Sequence, residues 1–414
     1  MKKQTTVVMG ASAIAFTLIA IDILPHPHFG IDTNSSKISA NNPIISPAIA
    51  ATNRIPNGQI LNISGEVQLQ RQDGRNIRPS AGTPIYPGDK LQTSQNGQIT
   101  IQCADLGIKS IKAGENQLNT CLLASKKSQD ECNKNLISCP DRGDDQIVWN
   151  NAPIPYIISP RRTKLLGNKP ILRWNPVAGA TSYKLSILEK KAKLNWEMTV
   201  NGTEAVYPGE PALKPGFKYR LIVEANTGVS SESPLGESDT EFRLLDEKEV
   251  EGVKEAVRAI EQQVPNAASQ KLAIAQVYRS AHLTAEAIEI LESLPAAGVE
   301  TAPIYRTLGE MYQGRSQLMP QAKFYYLKAI SRVKPDDIEE LTEAHYGLGE
   351  VHSSMRENLE AMKYLKLAKE GYQTLGDVQM VEKIGKQLQD VQRREERKKS
   401  RDMTLIIAEF AMSQ

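Results

Sequence analysis

Four cysteines are the residues in this sequence whose type and spacing indicate a definite chemistry. They are Cys103, Cys121, Cys132 and Cys139, an even number within one short region and without a C-x-x-C pair. This pattern favours two disulfides over a zinc site or a nucleophilic thiol. Three pairings are open to four cysteines, and the shortest loops favour Cys103 with Cys121 and Cys132 with Cys139.

Other candidate chemistry is weaker. The stretch GEMYQGRS, residues 309–316, resembles a phosphate-binding loop, but Arg315 replaces the lysine and the surrounding pattern is helical. His26 and His28 lie in a Pro-rich stretch, and we interpret His345 and His352 as helix-packing residues. The motifs H-E-x-x-H, G-x-S-x-G and G-x-G-x-x-G do not occur in the sequence. We therefore predict a protein that is not an enzyme and has neither cofactor nor metal.

The start of the chain indicates export. Lys2 and Lys3 precede an apolar run at residues 7–24 that carries one charge, Asp22. The sequence leaves open whether residues 1–25 are a cleaved signal peptide or an inner-membrane anchor. Both predict that the rest of the chain lies in the periplasm or cell envelope, where disulfides form. Residues 26–55, rich in Pro, Asn, Ser and Ala, are predicted to be a flexible linker.

Length and charge limit the remaining possibilities. The chain has 414 residues, too many for one core, so several domains are expected. Its formal net charge is +2, and its basic residues are scattered along the chain, so nucleic acid is not an expected partner.

Residues 56–145 are predicted to form one domain, and short runs up to Cys121 alternate between apolar and polar side chains. Short runs of this kind are separated by turn signals at Asp73-Gly74, Pro87-Gly88 and Asn96-Gly97, which predicts a small all-β domain. Within it, GEV (65–67), YPGDKLQT (86–93) and NGQITI (96–101) resemble the FecR-like domain of bacterial envelope proteins. The resemblance implies an envelope location, but the four cysteines are not part of that family's pattern.

Residues 146–245 are predicted to form a second β domain. Trp174 is a candidate core residue, and Asn201-Gly202 is of the dipeptide type that gives the strongest two-residue hairpin signal. Leu213, Pro215 and Tyr219 resemble the tyrosine corner of fibronectin type III domains, in which a tyrosine hydroxyl ties a strand to the preceding loop. The resemblance implies a β-sandwich.

From residue 246 the pattern becomes helical. Asp246 and Glu249 have capping-box spacing, and the valines and isoleucine at 250, 253, 257, 260 and 264 lie on one helix face. Small residues then recur directly after apolar ones, at Ala275, Gly309 and Gly349, and a second set of small residues follows at Ala287, Ala322 and Ala361. With Leu308, Tyr312, Tyr326, Ala329 and Pro335, this pattern resembles the tetratricopeptide repeat.

The repeat resemblance gives the glycines a role. A mid-helix glycine costs about 1 kcal/mol relative to alanine. We interpret Gly309 as the point where paired helices cross too closely for a side chain. Residues 246–402 are thus predicted to form an α-solenoid, followed by an apolar segment, 403–414, that either packs on the array or binds a partner.

The predicted fold class is therefore a multidomain α and β protein. The resemblances imply a non-catalytic scaffold that binds a protein or peptide in a repeat groove. The alternative is a FecR-like regulator that relays an envelope signal. The groove residues predicted to face outward from the first helix of each repeat are Gln276, Arg279, Arg306, Glu310, Gln313, Tyr346 and Glu350.

Overall fold

The computed structural model describes residues 55–122, 154–189, 191, 193–232, 241–314 and 316–412. All of them lie within one unit of the chain, Ala48–Gln414. Sheets occupy the N-terminal part of this unit, and helices occupy the C-terminal part. The predicted export segment, residues 7–24, lies outside the described residues. In the described ranges, no helix combines the length and the apolar character that a membrane crossing requires.

The first β segment consists of two four-stranded antiparallel sheets, ordered β4-β1-β6-β7 and β3-β2-β5-β8. Their inward side chains, including Ile60, Leu69, Leu91 and Ile99, form one apolar core, so the predicted alternation is confirmed. The strands are β1 (Gly58–Ser64), β2 (Val67–Gln70), β3 (Asn76–Ile77), β4 (Pro84–Ile85), β5 (Lys90–Thr93), β6 (Gln98–Cys103), β7 (Ile108–Ile111) and β8 (Asn116–Leu118).

A disulfide and a glycine turn hold this segment together. Cys103 at the end of β6 is bonded to Cys121 beyond β8, which confirms the first predicted pair. Cys132 and Cys139 lie outside the described residues. Gly65 has φ +66°, and a Cβ there would lie 2.1 Å from the carbonyl oxygen of Asn96. The turn of the GEV motif therefore packs directly on the turn of the NGQITI motif, and this close approach requires glycine at position 65.

The second β segment has a five-stranded sheet ordered β10-β16-β15-β12-β13 and a three-stranded sheet ordered β14-β11-β9. Trp174 and Tyr183 are buried in its core and meet edge to face. The strands are β9 (Ile157–Ser159), β10 (Thr163–Leu165), β11 (Ile171–Trp174), β12 (Tyr183–Glu189), β13 (Leu194–Val200), β14 (Glu204–Val206), β15 (Tyr219–Ala225) and β16 (Glu241–Leu244).

The predicted tyrosine tie is present. The Tyr219 hydroxyl accepts a hydrogen bond from the Lys214 N–H at 2.7 Å and lies 3.2 Å from the Lys214 carbonyl oxygen. The side chain of Tyr219 is fully buried, so its hydroxyl needs such partners. The start of β15 is thereby fixed to the loop before it.

The prediction of a β-hairpin at Asn201-Gly202 is wrong. Strand β13 before this dipeptide pairs with β12, whereas β14 after it pairs with β11 in the other sheet. The backbone N–H of Trp174 in β11 donates to the Thr203 carbonyl oxygen at 3.1 Å. This bond places the residues after Gly202 beside the three-stranded sheet. A turn dipeptide does not determine which strand the residues after it pair with.

The helical segment contains three successive helix pairs, α2–α3, α4–α5 and α6–α7, flanked by α1 and α8. The predicted capping box of α1 is confirmed, because Asp246 and Glu249 each bind the other's backbone N–H. The helices are α1 (Glu247–Gln263), α2 (Ala267–Ser280), α3 (Thr284–Glu292), α4 (Ala302–Gln313), α5 (Met319–Arg332), α6 (Ile338–Ser354), α7 (Asn358–Thr374) and α8 (Val378–Met412).

Glycines allow close contact between these helices, as predicted for Gly309. A Cβ on Gly309 would lie 3.0 Å from the ring of Tyr326 in α5. A Cβ on Gly347 of α6 would lie 2.3 Å from the same ring, and one on Gly349 would lie 2.9 Å from Leu365 of α7. One buried tyrosine ring therefore occupies the space that two glycines leave open on two different helices.

The β segments and the helices share one apolar core. Leu61 of β1 and Leu245 after β16 are buried in the same cluster as residues of α1 to α6, and Leu106 and Leu166 pack against it. Removing either β segment would expose this apolar surface to water.

Replacing Gly347 with alanine should destabilise the protein. The new methyl group would collide with the buried Tyr326 ring, and overpacking of this kind costs about 1–3 kcal/mol, more than the roughly 1 kcal/mol gained in helix propensity. Gly252→Ala in α1 is the matched control, since a Cβ there meets no atom within 4 Å. Urea unfolding should show a loss for Gly347→Ala and no loss for the control; equal shifts would contradict this packing.

Candidate partner-binding face

The seven predicted groove residues lie on α2, α4 and α6, the first helices of the three pairs, and we refer to them together as the first-helix face. Arg279 is exposed, and four others are half-buried: Gln276, Glu310, Gln313 and Glu350. Arg306 and Tyr346 are buried, each 9% exposed, so the prediction that these two face outward is wrong. Both are held in contacts that join neighbouring helices.

Arg306 connects α4 to the start of α6. Its Nε donates to Glu340 Oε1 at 2.8 Å, and its Nη1 pairs with Glu310 one turn further along α4. Burial raises the pKa of Glu340 to about 7, although the nearby Arg306 guanidinium acts in the opposite direction. A buried charge is tolerated here because a charged partner is hydrogen-bonded to it.

Glu350, like Arg306, connects side chains from neighbouring helices of the first-helix face. Its carboxylate accepts hydrogen bonds from Gln313 Nε2 of α4 at 3.1 Å and from the Tyr346 hydroxyl at 2.6 Å. Gln387 Nε2 of α8 donates to it at 3.2 Å. The carboxylate therefore fixes side chains from three helices. Gln313 is oriented further by the Tyr326 hydroxyl, which donates to its Oε1 at 2.7 Å.

Sequence reasoning missed several members of this network. Glu339 and Glu340 belong to an acidic run at a helix start, and such runs usually face water and favour the helix dipole. In the structure they are buried, at 7% and 4% exposure. Glu343 is hydrogen-bonded to Tyr372, and burial raises the pKa of its carboxyl. No local signal distinguishes these acids from solvated ones, because their arginine partners are distant in the sequence.

The first β segment contacts the N-terminal end of α6. Arg71, whose side chain is 1% exposed, donates to Asp89 at 2.6 Å and to Glu339 at 2.9 Å. Further along the same interface, the Thr301 hydroxyl before α4 donates to the Ala81 carbonyl oxygen at 2.6 Å. This β segment therefore packs against the same helices that carry the first-helix face.

The second β segment contacts α3, and Glu292 of that helix also binds tyrosines of α4 and α5. Arg173 Nη1 donates to Glu292 Oε2 at 3.1 Å. The other Glu292 oxygen accepts from the hydroxyls of Tyr312 at 2.6 Å and Tyr325 at 2.9 Å. Nearby, Glu286 Oε1 accepts from the Leu166 N–H at 2.8 Å. Its other oxygen is buried and has no hydrogen-bond partner among the described residues.

The histidines of α6 serve packing. His352 is 3% exposed, stacks on Tyr364 and is hydrogen-bonded to Glu357. His345 is half-buried and meets the same tyrosine ring. Within the described parts of the chain, no three residues among His, Cys, Asp and Glu are grouped so as to hold a metal ion. His26 and His28 lie outside those parts.

Comparison with known proteins gives only distant similarities. No family model matches the sequence, and no curated protein matches it. MamA is 20% identical with a TM-score of 0.25, covering 37% of this chain and 96% of its own. YrrB, described as a TPR protein with an unusual peptide-binding site, is 17% identical with a TM-score of 0.25, covering 35% and 81%. BtubC from P. vanneervenii is 16% identical with a TM-score of 0.23, covering 36% and 74%. The helix pairing of this chain, and not these similarities, defines its repeat organisation.

Glu286→Gln should change how stability depends on pH. Burial raises the pKa of Glu286 to about 7, above its value of about 4.3 in an unfolded chain. The folded state therefore binds the extra proton, and the free energy of unfolding falls as pH rises from about 4.5 to 7. Glutamine cannot ionise, so relative to wild type the variant should gain about 2 kcal/mol between pH 5 and pH 8 in denaturant titrations. Glu255→Gln is the control, because Glu255 is an exposed carboxylate of α1 and is not among the charges that act on Glu286. This variant should keep the wild-type dependence of stability on pH.

Glu339→Gln should weaken the contact between the first β segment and α6. It removes one of two carboxylates bound to the buried Arg71. Leaving a buried charge with no partner costs about 3–5 kcal/mol, but Asp89 still pairs with Arg71, so we expect a loss of about 1–3 kcal/mol. Asp336→Asn is the control, because Asp336 pairs with the 80% exposed Arg78 near the same interface and should cost less than about 0.5 kcal/mol. Equal losses in thermal unfolding would show that burial of the Arg71 pair is unimportant.

Proposed function

We propose that this chain is a non-catalytic scaffold of the cell envelope and binds a protein or peptide on the first-helix face. The observation that carries this proposal is the position of accessible polar groups on three successive first helices. Gln276 and Arg279 come from α2, Glu310 and Gln313 from α4, and Glu350 from α6. A row of amide, carboxylate and guanidinium groups suits the hydrogen-bonding backbone of a peptide better than an apolar ligand.

The buried contacts favour binding without large rearrangement. Gln313 and Glu350 are already hydrogen-bonded to each other, and Glu310 is paired with the buried Arg306. Side chains fixed in this way lose less conformational entropy when a partner binds. Arg279 is the exception, since it is exposed and hydrogen-bonded only within its own helix, to Gln276, in the described part of the chain.

The envelope location rests on the N-terminal half. We propose that β1–β8 is a FecR-like domain and β9–β16 a fibronectin type III-like sandwich, with residues 7–24 directing export. The Cys103–Cys121 disulfide supports this location, since disulfides persist in the periplasm and on cell surfaces. The Tyr219 hydroxyl bond supports the sandwich.

A signal relay is the second candidate function. The contact from Arg71 to Glu339 favours it, because it ties the first β segment to α6, which also carries Tyr346 and Glu350. A change in the β segment would then alter the partner-binding helix. In that case Glu339→Gln should change partner capture as strongly as a substitution on the face itself.

Photo-crosslinking in intact cells tests the scaffold proposal. A photoreactive amino acid at Gln276 and another at Gln313 should capture the same protein, and one at the exposed Lys366 of α7 should not. Adding Arg279→Glu should lower capture at least about fivefold, since it reverses a charge on the face, whereas Lys366→Glu should leave it unchanged.

The full chain is required in this experiment, because the helices share their core with both β segments. Capture that is strongest from Lys366, or that is indifferent to Arg279→Glu, would place the partner elsewhere and contradict the proposal.

A further inference from the structure

Helix α8 is much longer than the helix on which it packs. It has 35 residues against 17 in α7, which corresponds to about 50 Å against about 25 Å. Ile384 and Val391 of its first half are buried against α7. Up to residue 404, where the burial of α8 is described, Glu395 makes the last buried contact, accepting a hydrogen bond from Asn358 Nδ2 at 3.0 Å. The predicted apolar segment is therefore continuous with this helix as far as Met412.

From residue 396 to residue 404, helix α8 no longer packs on the rest of the protein. Every residue from 396 to 404 is exposed, including Met403 at 62%. The hydrogen bonds described for these side chains stay within α8, from Gln392 to Glu396 and from Thr404 to the Ser400 carbonyl. Helices in proteins are stabilised mainly by packing of an apolar face. A projecting helix of this length therefore indicates a surface that covers it.

The sequence of the projection specifies the chemistry of that surface. Its first part holds four basic residues against two acidic ones, namely Arg397, Lys398, Lys399 and Arg401 against Glu396 and Asp402. The next ten residues, MTLIIAEFAM, are apolar except for Thr404 and Glu409. A basic cluster directly beside an apolar helical segment provides both electrostatic attraction to anionic lipid and apolar insertion.

We propose that residues 396–412 dock on a membrane surface that contains anionic lipids. The ten-residue apolar run is about half of what a bilayer crossing requires, so the segment lies in the interface instead of spanning it. The excess positive charge of the segment favours an anionic lipid surface over a second copy of the chain. A second copy of the chain would bring the same positive excess, whereas an anionic lipid surface supplies the opposite charge. This docking is independent of the first-helix face.

Hydrogen–deuterium exchange of the full chain with vesicles tests the proposal locally. Vesicles of phosphatidylcholine with about 30 mol% phosphatidylglycerol should slow amide exchange in residues 396–412 about tenfold, and pure phosphatidylcholine vesicles should not. Raising the salt to about 0.5 M should weaken the protection, because it screens the charges. Reading exchange in this segment separates its binding from any contribution of residues 7–24.

Two variants and a charge-matched control complete the experiment. Replacing Arg397, Lys398, Lys399 and Arg401 with glutamine should abolish the protection, and so should Phe410→Glu. The control replaces four exposed basic residues elsewhere with glutamine and should keep it: Lys248, Lys254, Arg258 and Lys366.

Three outcomes would overturn the proposal. They are no protection by anionic vesicles, equal protection by both vesicle types, and protection without vesicles that rises with protein concentration. The last would show that a second copy covers the helix.

Discussion

The packing of the Tyr326 ring against two glycines is the contact on which the helical half depends. The ring occupies the space beside Gly309 in α4 and Gly347 in α6, so it joins one helix pair to the next. Its hydroxyl donates to Gln313, which in turn donates to Glu350. The helix contact and the arrangement of the first-helix face are therefore parts of one structure, and the propensity cost of the glycines is offset by this packing.

Buried charge pairs are the second constraint. Arg71 and Arg306 each bind a buried glutamate at the start of α6, so the same turn of helix contacts the first β segment and α4. Buried ion pairs contribute little net stability, but they require a single geometry, since an unpaired partner would be strongly unfavourable. Such pairs fix the register between segments, and apolar contacts alone would specify that register less sharply.

Much of the fold could be predicted from the sequence, whereas much of the candidate site could not. The change from two-residue to helical periodicity at Asp246, the capping box and the role of Gly309 are local or periodic properties, and all were confirmed. The burial of Arg306 and Tyr346 was missed, because a helix position assigned to the outer face can still be covered by a neighbouring element. The hairpin at Asn201-Gly202 was wrong for a related reason: strand partners are chosen over long distances.

The sequence by itself determined the kinds of segment, their order and the places where helices approach closely, because each follows from local pattern or residue type. It favoured the pairing of Cys103 with Cys121, and the structure decided it. Only the tertiary structure decided that both β segments share a core with the helices and that acidic residues of α6 are buried against arginines. It also showed that α8 extends past its packing surface. These features depend on contacts between residues far apart in the chain, which no local spacing specifies.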